Sequence, residues 1–138
     1  MPDVTHAKID EIDAIDGVFE RVKLHRAAAG LGVSSFGVSI IDLAPGADEY
    51  PEHDHSEDGL GGQMFAKRPQ QLGQEEVYVG LRGSGVIEAD GEQYPIDQDH
   101  IVRVGPTVKR KIVPGADGLR LLALGGTPGE PYSSAGTL

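Results

Sequence analysis

From Val33 onward the apolar positions fall in short runs that Gly, Pro and Asp cut at close intervals, which is the pattern of an all-β sandwich or barrel. The runs cover residues 35–43, 76–81, 85–89, 92–96, 101–104, 109–113 and 119–124. Pro45-Gly46 stops the first of them, because proline lacks an amide donor and glycine tolerates positive φ. Asp90-Gly91, between Val86-Ile87-Glu88 and Gln93-Tyr94-Pro95-Ile96, predicts a two-residue type I′ hairpin. Pro114-Gly115-Ala116-Asp117-Gly118 predicts a last hairpin, and Gly125-Gly126 ends the barrel. Before Val33, Ile9, Ile12 and Ile15 can share one helical face, yet Asp10, Asp13, Asp16 and Gly17 interrupt it and favour a short turn or arm. The chain is thus divided into an N-terminal arm (1–32), one β-barrel domain (33–126) and a loose Ser-, Gly- and Pro-rich tail (127–138). Residues 56–74 follow neither period. A stretch that long without structure inside a compact domain is usually functional or disordered, and it predicts either a flap over a pocket mouth, with Met64 and Phe65 as its apolar contact, or plain disorder.

Length and composition narrow this picture without changing it. A chain of 138 residues makes one domain that buries roughly two thirds of its unfolded surface, so it needs no covalent staples. Cysteine is absent, which removes disulfides, thiolate metal sites and cysteine nucleophiles, and leaves His, Asp and Glu as candidate ligands. The formal net charge of -10 argues against a nucleic-acid partner, whose phosphates most of this surface would repel. No apolar run reaches the roughly 18 residues of a membrane span, and Met1-Pro2-Asp3-Val4-Thr5-His6 has neither a basic nor an apolar leader segment. With no asparagine for glycosylation, the expectation is a soluble cytoplasmic protein.

His53 and His55 carry the candidate chemistry. On an extended segment residues i and i+2 point the same way, so both imidazoles can enter one cavity, and a carboxylate on the next strand can complete three ligands. Taken alone, two histidines in an acidic stretch are ordinary solvated loop residues. What changes the balance is the run from Glu75-Glu76 to Gly83-Ser84-Gly85 and the β-rich remainder.

These residues resemble the cupin superfamily, small antiparallel jelly-roll barrels whose first motif reads Gly, a spacer, His-x-His, a spacer, Glu, six residues, Gly. Here Gly46 leads to His53-Asp54-His55, and Glu76 stands six residues before Gly83, which selects Glu76 over Glu75. Six residues separate Gly46 from His53, and twenty separate His55 from Glu76; the second interval contains the expected flap. The second cupin motif, Pro-x-Gly-x-x-His-x-x-x-Asn, lines up on Gly105-Pro106-Thr107-Val108-Lys109-Arg110, so the family's fourth ligand becomes Arg110 and its Asn is lost. A guanidinium cannot donate a lone pair to a metal. If it points inward it must pair with Glu76, Glu75 or a bound anion; its other option is solvent, beside Lys109 and Lys111.

The resemblance implies an antiparallel β-barrel and a homodimer. It implies a divalent metal on His53, His55 and Glu76, a two-histidine, one-carboxylate face suited first to iron and then to manganese, nickel or zinc. Arg110, Tyr78 and Tyr50 become the expected substrate-binding residues, and a dioxygenase acting on a small anionic organic molecule is the first expectation, with isomerase or lyase chemistry next. A metal-free protein that binds an anion through Arg110 is the alternative. Other motifs fail on their own geometry. Asp54-x-Ser56-x-Asp58-Gly59 begins like a calcium loop, but Phe65 stands where its bidentate Glu belongs. Gly80 to Gly85 leads into a strand instead of a helix, so it is no phosphate loop. Ser34, Ser35 and Ser133 have no nucleophile elbow. His6, His25 and His100 are expected on the surface.

Overall fold

The computed structural model describes residues 3–15, 19–55 and 73–129. The expected flap, with Met64 and Phe65, lies outside these residues except for Gly73 and Gln74, and so does the tail beyond Gly129. The elements in chain order are a 3-10 turn at Ile9–Glu11, β1 (Ala14–Ile15), β2 (Val22–His25), α1 (Ala27–Leu31), β3 (Gly37–Leu43), β4 (Glu75–Ala89), β5 (Glu92–Ile96), β6 (Ile101–Val104) and β7 (Arg110–Gly126). All strand pairs are antiparallel, in the order β1-β2-β3-β7-β4-β5, with β6 also on β4.

β4 and β7 organise the barrel. They pair from Glu75↔Gly126 to Ala89↔Arg110, and the far side of β4 takes β6 along its first half and β5 along its second. Both strands run through glycines that the sequence pattern assigned to turns. The register shifts between Gly80 and Arg82 and again between Gly83 and Gly85, so these glycines bend a continuous strand. At Gly83, φ is 74° and an added Cβ would lie 2.1 Å from the Gly118 carbonyl oxygen, which explains why glycine stands there. Residues 114–118 accordingly lie inside β7 and form no hairpin. The Asp90-Gly91 turn is as expected, with φ of 51° and 75°, both positive as a type I′ turn requires.

Period-two alternation fills the interior with Ile41, Leu43, Tyr78, Ile87, Leu119 and Leu121, all buried. Residues 1–32 are more than an arm. β2 pairs with β3 from Val22↔Leu43 to His25↔Ile40, because Val22 and Leu24 alternate into the same interior. Ile12, Ala27 and Ile40 form a second apolar cluster, with Ile9 and Leu122 packed on it. Aspartates and Gly17 break helical periodicity there, and tertiary contact instead buries Ile12 and half-buries Ile9 and Ile15. No helix among the described residues is long and apolar enough to cross a membrane.

Candidate metal centre

Glu76 and Tyr78 share the inward face of β4, while Glu75 points outward to Arg103, whose Nε lies 2.7 Å from Glu75 Oε2. His53 enters the same interior by pairing with Arg110: its N–H donates to the Arg110 carbonyl at 3.0 Å, and the Arg110 N–H donates back at 2.8 Å. Directly opposed residues of an antiparallel pair put their side chains on one side, so the bridge that aims His53 inward also aims Arg110 inward. Arg110 is wholly buried, whereas Lys109 is exposed and Lys111 half-buried. The His55 N–H is held by the Pro106 carbonyl at 2.8 Å, and the His55 carbonyl accepts from the Gly73 N–H at 2.5 Å.

One oxygen gathers the site. Oε1 of Glu76 accepts from the Tyr78 hydroxyl at 2.5 Å and from Arg110 Nη1 at 2.9 Å, and lies 2.7 Å from His55 Nε2. Arg110 Nη2 donates to the Gly105 carbonyl at 2.6 Å, and Arg110 Nε is buried without an acceptor among the described residues. His53 Nδ1 lies 3.0 Å from the Pro51 carbonyl; donating there fixes the tautomer that leaves Nε2 with its lone pair. Its ring packs edge-on between Tyr50 and His55, at centroid distances of 5.4 and 5.3 Å.

Burial drives the His53 pKa down to about 4, against the pull of Glu76, so the imidazole is neutral at neutral pH. Burial also opposes the charge on Glu76, but His55 and then His53 and Arg110 outweigh it and bring its carboxyl down to about 2. Tyr78 and Tyr50 are pushed above the ordinary tyrosine range by burial and the Glu76 charge, so both remain protonated donors.

A cavity of about 20 Å³, roughly the space of one water, lies beside His55 and Glu76. Tyr50, Ser39, Gln74 and the apolar Leu24, Val38 and Ile41 complete its wall. Of the three expected substrate-binding residues, Tyr50 lines this cavity, while Tyr78 and Arg110 are engaged on Glu76. Lys111 holds Tyr50 in place from outside, its Nζ donating to the carbonyls of Asp48 and Tyr50 at 2.8 and 3.0 Å. Gln74 and Ser39 are absent from the sequence-based expectations, although period two from Glu76 and from Ile41 points to both. Gly125 makes room for Gln74: a Cβ there would come within 2.7 Å of Gln74 Oε1.

Donor atoms of His53, His55 and Glu76 lie within 4.8 Å of one another. Two ligands at about 2.1 Å from one ion keep roughly 3–4 Å between them, so a small rearrangement, in which His55 Nε2 and Glu76 Oε1 part from 2.7 Å, would let the set hold a divalent cation. Imidazole nitrogens and one carboxylate suit such an ion, and the residues present fit it. A second group at comparable spacing, Asp10, His25 and Asp42, is closed by Arg120. Arg120 grips Asp42 with Nε at 2.7 Å and Nη2 at 3.0 Å and also bonds Asp10, while His25 Nε2 lies 2.9 Å from Asp42. His25, expected on the surface, is therefore buried as part of a clasp that fastens the N-terminal segment to β3 and β7. His6 and His100 are exposed as expected.

No family model matches the sequence, and no curated protein matches it. Solved structures do match. A cupin protein from Bacteroides fragilis is 22% identical with a TM-score of 0.64, over 96% of this chain and 93% of that one. A sugar phosphate isomerase of the cupin superfamily from Silicibacter pomeroyi is 18% identical with a TM-score of 0.65, over 88% and 75%. A predicted oxalate decarboxylase from Thermotoga maritima is 18% identical with a TM-score of 0.62, over 89% and 99%. Together with the antiparallel barrel built on β4 and β7, these likenesses show that the chain has the cupin fold.

Proposed function

We propose that this cupin-fold chain is a metal-dependent enzyme acting on a small anionic organic molecule, with His53, His55 and Glu76 as the metal ligands. The observation that carries it is the convergence of two buried histidines and one half-buried carboxylate, distant in sequence, within 4.8 Å. When bound, the metal supplies Lewis acidity and open coordination positions; iron, the ion we favour for a two-histidine, one-carboxylate face, adds the redox chemistry of a dioxygenase. Tyr78 and Arg110 hold the Glu76 carboxylate in position, and the Pro51 carbonyl holds His53. Tyr50, protonated and on the cavity wall, donates a hydrogen bond or a proton to the ligand, and the apolar wall excludes water. Isomerase and decarboxylase chemistry, named for two of the similar structures, fit the same residues and follow as the next choices. We place the protein in the cytoplasm as a homodimer.

A metal-free binding protein is the second reading. One observation favours it: Arg110 and Glu76 already balance each other's charge without a metal. Elemental analysis of tag-free protein, beside the His53→Ala/His55→Ala variant, separates the two. Near-stoichiometric iron, manganese, nickel or zinc in the wild type that disappears in the variant supports the enzyme reading. A wild type that stays empty after incubation with each ion sinks it.

A further inference from the structure

We propose that Lys111 is the positioning residue that sets the His53 ring for metal binding, by fixing from outside the barrel the turn that carries the ring's hydrogen-bond acceptor. The inference rests on the reading of His53 as a metal ligand and goes beyond it in naming what aims that ligand. Between the end of β3 at Leu43 and the bridge at His53 the chain forms neither helix nor strand. Within that stretch, residues 48–52 make no hydrogen bond from main chain to main chain among the described residues, so side chains must hold them. Lys111 does so at two points, its Nζ donating to the carbonyls of Asp48 at 2.8 Å and of Tyr50 at 3.0 Å. The next carbonyl, that of Pro51, lies 3.0 Å from His53 Nδ1. One lysine thus stands a single residue away from the bond that keeps the proton on Nδ1 and the lone pair on Nε2.

The strand register offers this lysine another partner. Glu88 stands directly opposite Lys111 on β4, where opposite charges ordinarily pair. Glu88 instead accepts from Gln93 Nε2 at 2.9 Å, and the ammonium goes to the two carbonyls. Alternation along β7 divides the work: Arg110 faces inward and bridges His53 through its main chain, while Lys111 faces outward and fastens the turn just before it. Tyr50 transmits the grip as well, because its buried ring packs edge-on against His53 at a centroid distance of 5.4 Å and tilted against Phe19 at 5.7 Å. Arg21 reaches the same turn through the carboxylates of Asp48 and Glu49, from a guanidinium nearly half exposed, and ion pairs of that kind hold a main chain loosely.

Two measurements test this. Nitrogen-15 NMR of the metal-free protein at neutral pH reads the His53 tautomer, and equilibrium dialysis reads the affinity for Mn(II). In the wild type and in Lys111→Arg, which can still donate to both carbonyls, the His53 proton is expected on Nδ1. Lys111→Met keeps the aliphatic stem and loses the donor; a mixture of the two tautomers is expected, with Mn(II) bound at least about tenfold more weakly, and Lys111→Arg is expected within about threefold of wild type. Charge alone predicts the opposite sign, because removing a cation should tighten the binding of a divalent cation nearby. Lys109→Met, the same charge change on the exposed lysine two residues away, is the control and is expected to bind Mn(II) no more weakly than wild type. Near-ultraviolet circular dichroism checks folding, and Lys111→Leu replaces a methionine variant that fails to fold. A Lys111→Met protein that keeps the wild-type tautomer overturns the proposal whatever its Mn(II) affinity, and so does one with mixed tautomers and undiminished affinity. If no form binds Mn(II), the metal-ligand reading falls, and the tautomer comparison still decides whether Lys111 sets the ring.

Discussion

Oε1 of Glu76 accepts the Tyr78 hydroxyl and an Arg110 N–H and lies beside His55 Nε2, and that crowding keeps a carboxylate ionised inside the barrel. The two perturbed groups act on stability in the same direction. His53 has a folded pKa of about 4 against an ordinary 6.5, so between those values the unfolded chain binds the extra proton and acidification favours unfolding. Glu76, at about 2 against 4.5, contributes stability that is complete above 4.5 and lost as pH falls toward 2. Thermal unfolding of metal-free protein should therefore show a plateau above pH 7 and a decline below it, by up to about 1.4 kcal/mol per pH unit from His53 alone. His53→Gln should flatten the decline between pH 6.5 and 4; an unchanged profile would show that His53 is not held neutral. Tyr78→Phe, which removes a hydrogen bond to a charged group, should cost about 1.5–3 kcal/mol in urea denaturation, and no loss would mean the bond contributes nothing. The convergence of His53, His55 and Glu76 was legible because strand alternation is a local signal and the Glu-to-Gly spacing resembles the cupin motif. His25 was not, because its partners Ile12 and Asp42 come from separate parts of the chain and nothing near it announces burial.

At the scale of elements, two long strands set the site, and their glycines decide whether they can. The Asp90-Gly91 turn and the bounds of β5 and β6 were readable from dipeptide chemistry and alternation. β4 and β7 were not readable as continuous strands, because the glycines and Pro114 that allow their bends carry the same signature as turns. Bulge and turn differ in what lies across from them, here Gly118 opposite Gly83. Gly83→Ala should accordingly destabilise the fold by about 2–4 kcal/mol, through positive φ and a backbone clash together. Gly91→Asn, with φ of 75° but open space around the Cβ position, should cost less than about 1 kcal/mol. Equal losses in the two variants would show that the Gly83–Gly118 contact is unimportant.

For the whole molecule, the clasp of Asp10, His25, Asp42 and Arg120 joins the N-terminal segment to the barrel wall behind the site. Asp42→Asn leaves Arg120 without its main counter-charge; since Asp42 is partly exposed, solvent moderates the loss to about 1–3 kcal/mol. Hydrogen exchange should then quicken at residues 9–15 and stay slow in β4 and β7, whereas uniform quickening would mean that the clasp is part of the global core. The metal centre stands or falls on two imidazoles meeting one ion. Electron spin echo modulation of the Mn(II)-loaded protein tests this most directly, because it counts coordinated imidazole nitrogens. Two are expected in the wild type, and one each in His53→Ala and His55→Ala. A wild type without imidazole modulation, or modulation that survives both substitutions unchanged, would contradict it.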